Sequence, residues 1–496
     1  MSVLAGLARR HWLFGLVLAG AVVLRVLAML AFRPIMWFGG DSASYLATAL
    51  RLVLDPSRAG GYGFVLLALR PLRSFAAVAA AQHLAGLAIG TGIYLLARRR
   101  GLPAWAATLA AVPVLFDAYQ LQLESDVLPD VAFELVVFVA LLAVLWSPQE
   151  RRPVVAGGAG LALGVSAILW PVGLALLAVL VVWLLVRWAG WRVTAAAVVA
   201  GAVPVLAYCS VFYASDHEFA LTTSDGVFLW ARTMSFADCA VVRPPAGERA
   251  LCPPAGPRMA ASLYVWSGDS PLLRLPGGRF SARTNALARD FALRAVAAQP
   301  GGYLAAVGHD AALSFYWDRP VHPDAGIVDR YSFADATTAW VPPDMRAPGG
   351  GTVASDQAAY AGGQPAPTRA VQPFASWLVS YQRYAYLRGT LLGVILLAGL
   401  AGILVRRRAA YGAGLAWAFA VTIVAVPPMV VDFDLRYLVP AVPAACVAAA
   451  LAFAPRPADQ RRCTTSPADT GISAAGGTRT SSLPPGSTPA ASPDSS

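Results

Sequence analysis

The stretch from Val154 to Val186 reads VVAGGAGLALGVSAILWPVGLALLAVLVVWLLV, and how it is divided decides the fold. It carries no charged residue and is nearly continuous, broken only around Trp170-Pro171. A bilayer core is crossed by about 20 helical residues. The stretch is therefore either one long span or two short ones, and reading it as one would move every later loop to the other side of the membrane.

Working outward, apolar runs recur at 12–32, 74–97, 102–116, 131–146, 154–169, 170–186, 193–213, 387–405, 409–431 and 437–454, about ten spans in all. The arginines arbitrate. With the N-terminus inside, ten spans place Arg98-Arg99-Arg100, Arg151-Arg152, Arg187 with Arg192, and Arg406-Arg407-Arg408 in cytoplasmic loops, as the positive-inside bias requires. The run after Arg9 and Arg10 lacks a small-residue cleavage site of the A-x-A kind, so it reads as a retained first span. The expectation is an all-α integral membrane protein of the plasma membrane, with both termini cytoplasmic.

Composition agrees. Of 496 residues 57% are hydrophobic and 13% charged, against about 25% charged in soluble proteins. There is no lysine, so the net charge of +11 is an arginine charge. A nucleic-acid partner would need those arginines clustered on a soluble face, whereas they lie in short groups between apolar runs. The five cysteines are too few for a disulfide scaffold; only Cys239 and Cys252 share a loop and could pair, given an oxidising compartment.

The ten-span topology divides the chain into an N-terminal module of about seven spans (1–213), an extracytoplasmic segment (214–386), three C-terminal spans (387–454) and a tail (455–496). The large segment is of mixed polarity, with Pro/Gly-rich stretches and helix-like stretches near 283–297 and 302–317, and predicts a small, mostly α-helical domain. The tail is rich in Ser, Thr, Pro, Gly and Ala without apolar periodicity, a disorder signature.

The same topology collects the acidic loop residues on the outer face. The first outer loop carries Gly39-Gly40-Asp41, followed by apolar residues at 46, 50, 53 and 54, the spacing of a helix with one greasy face lying in the interface plane. Asp41 is then either the N-cap of that helix or a carboxylate at membrane level, able to deprotonate a hydroxyl. The second loop holds Asp117, Glu124, Asp126 and Asp130 without an arginine. Asp130, after Pro129, suits the positive end of the next helix, and Glu134 lies one turn deeper, inside a span, where ionisable groups are costly. Arg436 and Tyr437 open the last span, either as interfacial anchors or, for the arginine fork, as a phosphate ligand. Arg51, Arg58, Arg70 and Arg73 in the first loop oppose the positive-inside trend and read as contacts to anionic lipid or as a phosphate site.

A long outer first loop with an Asp just after span one, an in-plane helix, an acidic second loop and the Arg436-Tyr437-Leu438-Val439-Pro440 opening of the last span resemble the GT-C superfamily of polyprenyl-phosphate-sugar-dependent glycosyltransferases. The likeness is closest to the protein O-mannosyltransferase and aminoarabinose-transferase branches, especially their actinobacterial members. It implies Asp41 as catalytic base, Glu124 and Asp130 as active-site carboxylates, and a lipid-phosphate site at Arg436 and Tyr437 with Arg58 and Tyr62. The chain has Gly61-Tyr62-Gly63 where many relatives have Gly-Tyr-Pro, and Asp41 alone where they carry paired acids. The implied reaction is inverting transfer to a cell-envelope glycan, lipid or protein. Burial beside other carboxylates is expected to raise the Asp41 pKa. No cofactor is required, although a divalent metal on Asp41, Glu124 and Asp130 suits hard-cation chemistry. Rival readings are a transporter or lipid flippase using membrane carboxylates, and an inactive scaffold of the same fold.

Overall fold

The computed structural model describes residues 2–146, 152–336, 342–365, 367–406 and 412–455, with side chains from Arg10 onward. Arg151, Arg407 and Arg408, and the tail read as disordered, lie outside the described residues. Residues 1–455 form one compact unit.

Ten helices cover the first part: α1 Ser2–Ala31, α2 Gly39–Arg51, α3 Gly61–Leu69, α4 Phe75–Arg99, α5 Ala104–Phe116, α6 Ala118–Glu124, α7 Asp130–Trp146, α8 Pro153–Leu169, α9 Val172–Val186 and α10 Trp191–Asp216. The central segment holds α11 Asp225–Thr233, α12 Cys239–Val242, α13 Ala261–Trp266, α14 Ala282–Ala298, α15 Pro300–Leu313, α16 Ala325–Asp329, α17 Val353–Ala361 and α18 Phe374–Tyr384. Helices α19 Gly389–Arg406, α20 Ala413–Val430 and α21 Val442–Ala452 follow. The strands among the described residues are one antiparallel two-residue pair, Phe32 opposite Ala370 and Arg33 opposite Arg369.

Every apolar run of the sequence folds as a helix, and 154–186 divides at Trp170-Pro171 into α8 and α9. Pro171 has no N–H to carry a helix forward, and Trp170 leaves the helical conformation at φ −155°, ψ 125°. The protein is an α-helical membrane protein. By length and composition six described helical stretches can cross a bilayer, and the pair α5–α6, bent by 54°, is either a seventh, broken span or a re-entrant loop. Helices α7, α8 and α9 are shorter, at 17, 17 and 15 residues. Where two apolar helices meet in lipid, small residues let backbones approach: a side chain at Gly160 or Gly164 of α8 would strike the carbonyls of Ala197 or Gly201 on α10.

The central segment has its own apolar core around Trp230, Tyr264 and Phe291, and the Cys239–Cys252 disulfide is formed. Its later part packs on the membrane helices, contributing Tyr331, Val353 and Tyr360 to the main core. Helix α2 differs from the amphipathic expectation. Its polar residues Ser42, Ser44 and Thr48 are as buried as its apolar ones, and α17 is tied to it by the two-pronged Arg51–Asp356 pair.

Candidate functional site

The chain leaves α1 at Phe32, and at Gly39 it takes a φ of +49° to enter α2. A glycine is needed there for the left-handed backbone, and also for space, since a Cβ would come within 3.1 Å of the Arg330 guanidinium. Asp41 therefore falls in the first turn of α2. It does not cap it: the N-cap is Phe38, whose N–H is taken by the Ser42 hydroxyl. The capping alternative for Asp41 is thereby removed.

The Asp41 carboxylate instead lies between two arginines. Arg58 Nη1 donates to one oxygen, and Arg436 Nη1 donates to the other at 3.0 Å across 395 residues of chain. The same Arg436 uses Nε on both oxygens of Asp130, at 2.7 and 3.0 Å. Arg58 in turn lies 3.5 Å from Asp55 and against the Trp266 ring of the central segment. The segment between α1 and α4, the start of α7 and the chain just before α21 thus meet in one chain of charges, Asp55–Arg58–Asp41–Arg436–Asp130. Asp41 keeps 26% of its side chain exposed, whereas Asp130 keeps 2%. Asp41 is the most exposed member of the network, with Arg58 and Asp55 at 16% each.

Expected and observed electrostatics differ at Asp41. Burial pushes its carboxyl up, but the Arg58 and Arg436 guanidiniums outweigh burial and hold it below the usual carboxylate range. Its neighbours go the other way. Burial and the Asp130 charge push Asp126 well up, and burial brings Asp434 up to about 6 although the Arg436 N–H and the Tyr331 hydroxyl donate to it. Among these three, Asp41 is the one whose anion the surroundings favour.

Glu124 belongs elsewhere. Its carboxylate is fully buried, bonded to Arg25 Nη2 at 2.8 Å and to Gln120 Nε2 at 3.2 Å, with His83 Nδ1 at 2.9 Å. Gly86 leaves the room for it, because a Cβ there would overlap Oε1. The three carboxylates grouped on sequence thus fall into two networks. The metal set fails with them: Arg436 stands between Asp41 and Asp130, Glu124 is committed to Arg25, and among the described residues no three His, Cys, Asp or Glu side chains gather as a metal-holding group.

Tyr62 is 1% exposed, its hydroxyl donating to Gln82 at 2.6 Å and its ring edge-on to Tyr45 of α2. Tyr437 lies tilted against Trp170 at 4.8 Å between ring centroids, tying the last span to the α8–α9 break. Glu134 is buried, with Oε1 unpartnered. Sequence reasoning missed Asp55, Arg25, His83, Arg330 and Tyr331. An arginine in the middle of an apolar run, as Arg25 is, was the available signal, since a buried cation demands a counter-charge.

No family model matches the chain, and no curated protein does. Solved structures similar to the chain include three at low identity. The apo oligosaccharyltransferase of Archaeoglobus fulgidus is 13% identical at a TM-score of 0.39, over 88% of this chain and 50% of that one. The same organism's AglB, in complex with an inhibitory peptide and a dolichol-phosphate, is 14% identical at 0.37, over 90% and 50%. ArnT of Cupriavidus metallidurans, bound to undecaprenyl phosphate, is 15% identical at 0.36, over 88% and 78%. The chain spans about half the length of the archaeal enzyme. With every TM-score under 0.5, the site is read from its own residues.

Proposed function

We propose that this chain is a GT-C-type membrane glycosyltransferase that moves a sugar from a polyprenyl phosphate to an acceptor hydroxyl at the extracytoplasmic face. The observation that carries the reading is the partly exposed Asp41 carboxylate, held between Arg58 and Arg436 and supplied with Asp130 behind them. A base, two cations and a single exposed edge are what a displacement at a sugar phosphate needs.

In the reaction the acceptor oxygen attacks the anomeric carbon from the face opposite the phosphate. The bond from that carbon to the phosphate oxygen breaks with its electron pair, so configuration inverts, and Asp41 takes the hydroxyl proton. The guanidiniums have two duties that cannot be met at once. While both bind Asp41 they depress its basicity; when an arriving phosphate claims Arg436, Asp41 loses one of the charges that hold its pKa down. Asp130 keeps its grip on Arg436 Nε and so fixes the fork while its outer nitrogens change partner.

The test is an Asp41→Asn variant reconstituted in vesicles with a radiolabelled lipid-linked sugar. Transfer in the wild type and its loss in the variant support the base assignment; equal transfer in both ends it. A second reading, a proton-coupled transporter, draws on the buried Arg25–Glu124–His83 group and the unpartnered Glu134 Oε1 inside the helices. Gradient-dependent uptake in proteoliposomes without sugar transfer would select it.

A further inference from the structure

Arg58 and Arg436 each have carboxylate partners in the structure. A third arginine, over the same Phe38 ring as Arg436, does not. Arg330, immediately after α16, makes no ion pair and no side-chain hydrogen bond among the described residues. Its guanidinium lies over the Phe38 ring at 6.0 Å, and the Arg436 guanidinium lies over the same ring at 5.6 Å. Arg436 is compensated there by Asp41 and Asp130, whereas the Arg330 charge on the same ring has no counter-charge of its own.

The backbone under Arg330 is fixed although its side chain is uncommitted. Gln122 Nε2 donates to the Arg330 carbonyl at 3.2 Å, and Gln382 Nε2 donates to the Tyr331 carbonyl at 2.8 Å. The Tyr331 ring stacks on Phe38 with centroids 5.1 Å apart, and its hydroxyl holds Asp434 at 2.8 Å. The glycine at position 39 leaves the space that the Arg330 Nη1 group occupies, two residues before Asp41. A partly exposed guanidinium over a ring, with its donors unspent, is suited to bind an oxyanion.

We infer that Arg330 is a phosphate-binding residue, which with Arg436 receives a phosphate group across Phe38. The inference rests on the glycosyltransferase reading above and adds the residue that first meets the donor. Arg330 offers its full donor set without breaking a pair, and Arg436 then swings its outer nitrogen from Asp41 to the shared anion.

The test is equilibrium binding of radiolabelled undecaprenyl phosphate, and separately of inorganic phosphate, to the full chain in nanodiscs. Wild type, Arg330→Gln and Arg330→Lys are compared, with thermal melting followed in parallel. Loss of charge-assisted bonds predicts roughly ten- to hundredfold weaker lipid binding for Arg330→Gln. Arg330→Lys keeps the charge and loses the fork, so it falls between the two. Because Arg330 supports no ion pair, melting stays the same. Arg330-dependent binding of the lipid assigns the phosphate to a headgroup; Arg330-dependent binding of inorganic phosphate alone assigns it to a soluble anion. Equal lipid binding in wild type and both variants overturns the Arg330 assignment and leaves the glycosyltransferase reading standing. No binding of either probe to the wild type overturns both.

Discussion

Two charged networks lie among the helices, built from the same residue types and differing in access. In one, Arg25, Glu124 and His83 are 3%, 0% and 4% exposed. In the other, Arg58 and Asp41 are 16% and 26% exposed, above a buried Asp130. A carboxylate sealed with its counter-charge, as Glu124 is, presents no surface to a ligand from outside. A carboxylate at an edge can exchange partners. Counting acidic residues in a loop does not separate the two cases; the guanidinium that each one reaches does.

The largest expected effect falls at the exposed edge. Asp41→Asn is nearly isosteric and removes the base, so the transfer rate should drop by about 10²–10⁴-fold while the melting temperature changes little. A comparable drop from Glu124→Gln in a protein that still melts normally would erase the distinction between the networks. Next comes the sealed group. Glu124→Ala strands the Arg25 charge among apolar helices and should cost roughly 3–5 kcal/mol, read in a denaturation or thermal-inactivation series. Removing both charges, as Arg25→Met with Glu124→Leu, should recover most of that loss, because an apolar pair of similar volume often replaces a buried ion pair at little cost. Failure of the double variant to recover would mean that the network does more than balance charge.

The smallest effect is a shift in pH dependence. The Asp41 carboxyl is held below its ordinary range chiefly because Arg58 and Arg436 outweigh burial. A base acts only when deprotonated, so transfer should persist at high pH and fade as pH falls through the Asp41 pKa. Arg58→Gln removes one of the depressing charges, the pKa rises, and the acid limb should move to higher pH. A limb that stays in place, or moves down, would detach Asp41 from the rate.

The helices were legible in the sequence because length and apolarity are local properties. The division of 154–186 was open in the sequence and was decided only through the arginine clusters; in the structure the helix breaks at Trp170-Pro171, where Pro171 cannot donate the bond that would continue α8. Much of the pairing was not legible. Arg25 sat unnoticed in an apolar run, its partner 99 residues away. Glu124 was grouped with Asp41 and Asp130 because all three lie in outer loops, although the bend between α5 and α6 turns Glu124 inward beside Gly86. Nothing in the sequence singled out Asp55, whose partners are Arg58 and the Ser44 and Ser57 hydroxyls. The segment holding Arg330 has no periodicity to mark it. The structure does bring Asp41, Asp130 and Arg436 together, Asp41 and Asp130 from the first turns of α2 and α7 and Arg436 from the chain just before α21.

A structure of the full chain in nanodiscs with undecaprenyl phosphate addresses the central claim directly. The account predicts phosphate density beside Phe38, touching Arg330 and Arg436, with the Asp41 carboxylate released from Arg436 and facing the open side. Phosphate bound away from these residues, with Asp41 still clasped between Arg58 and Arg436, would contradict it.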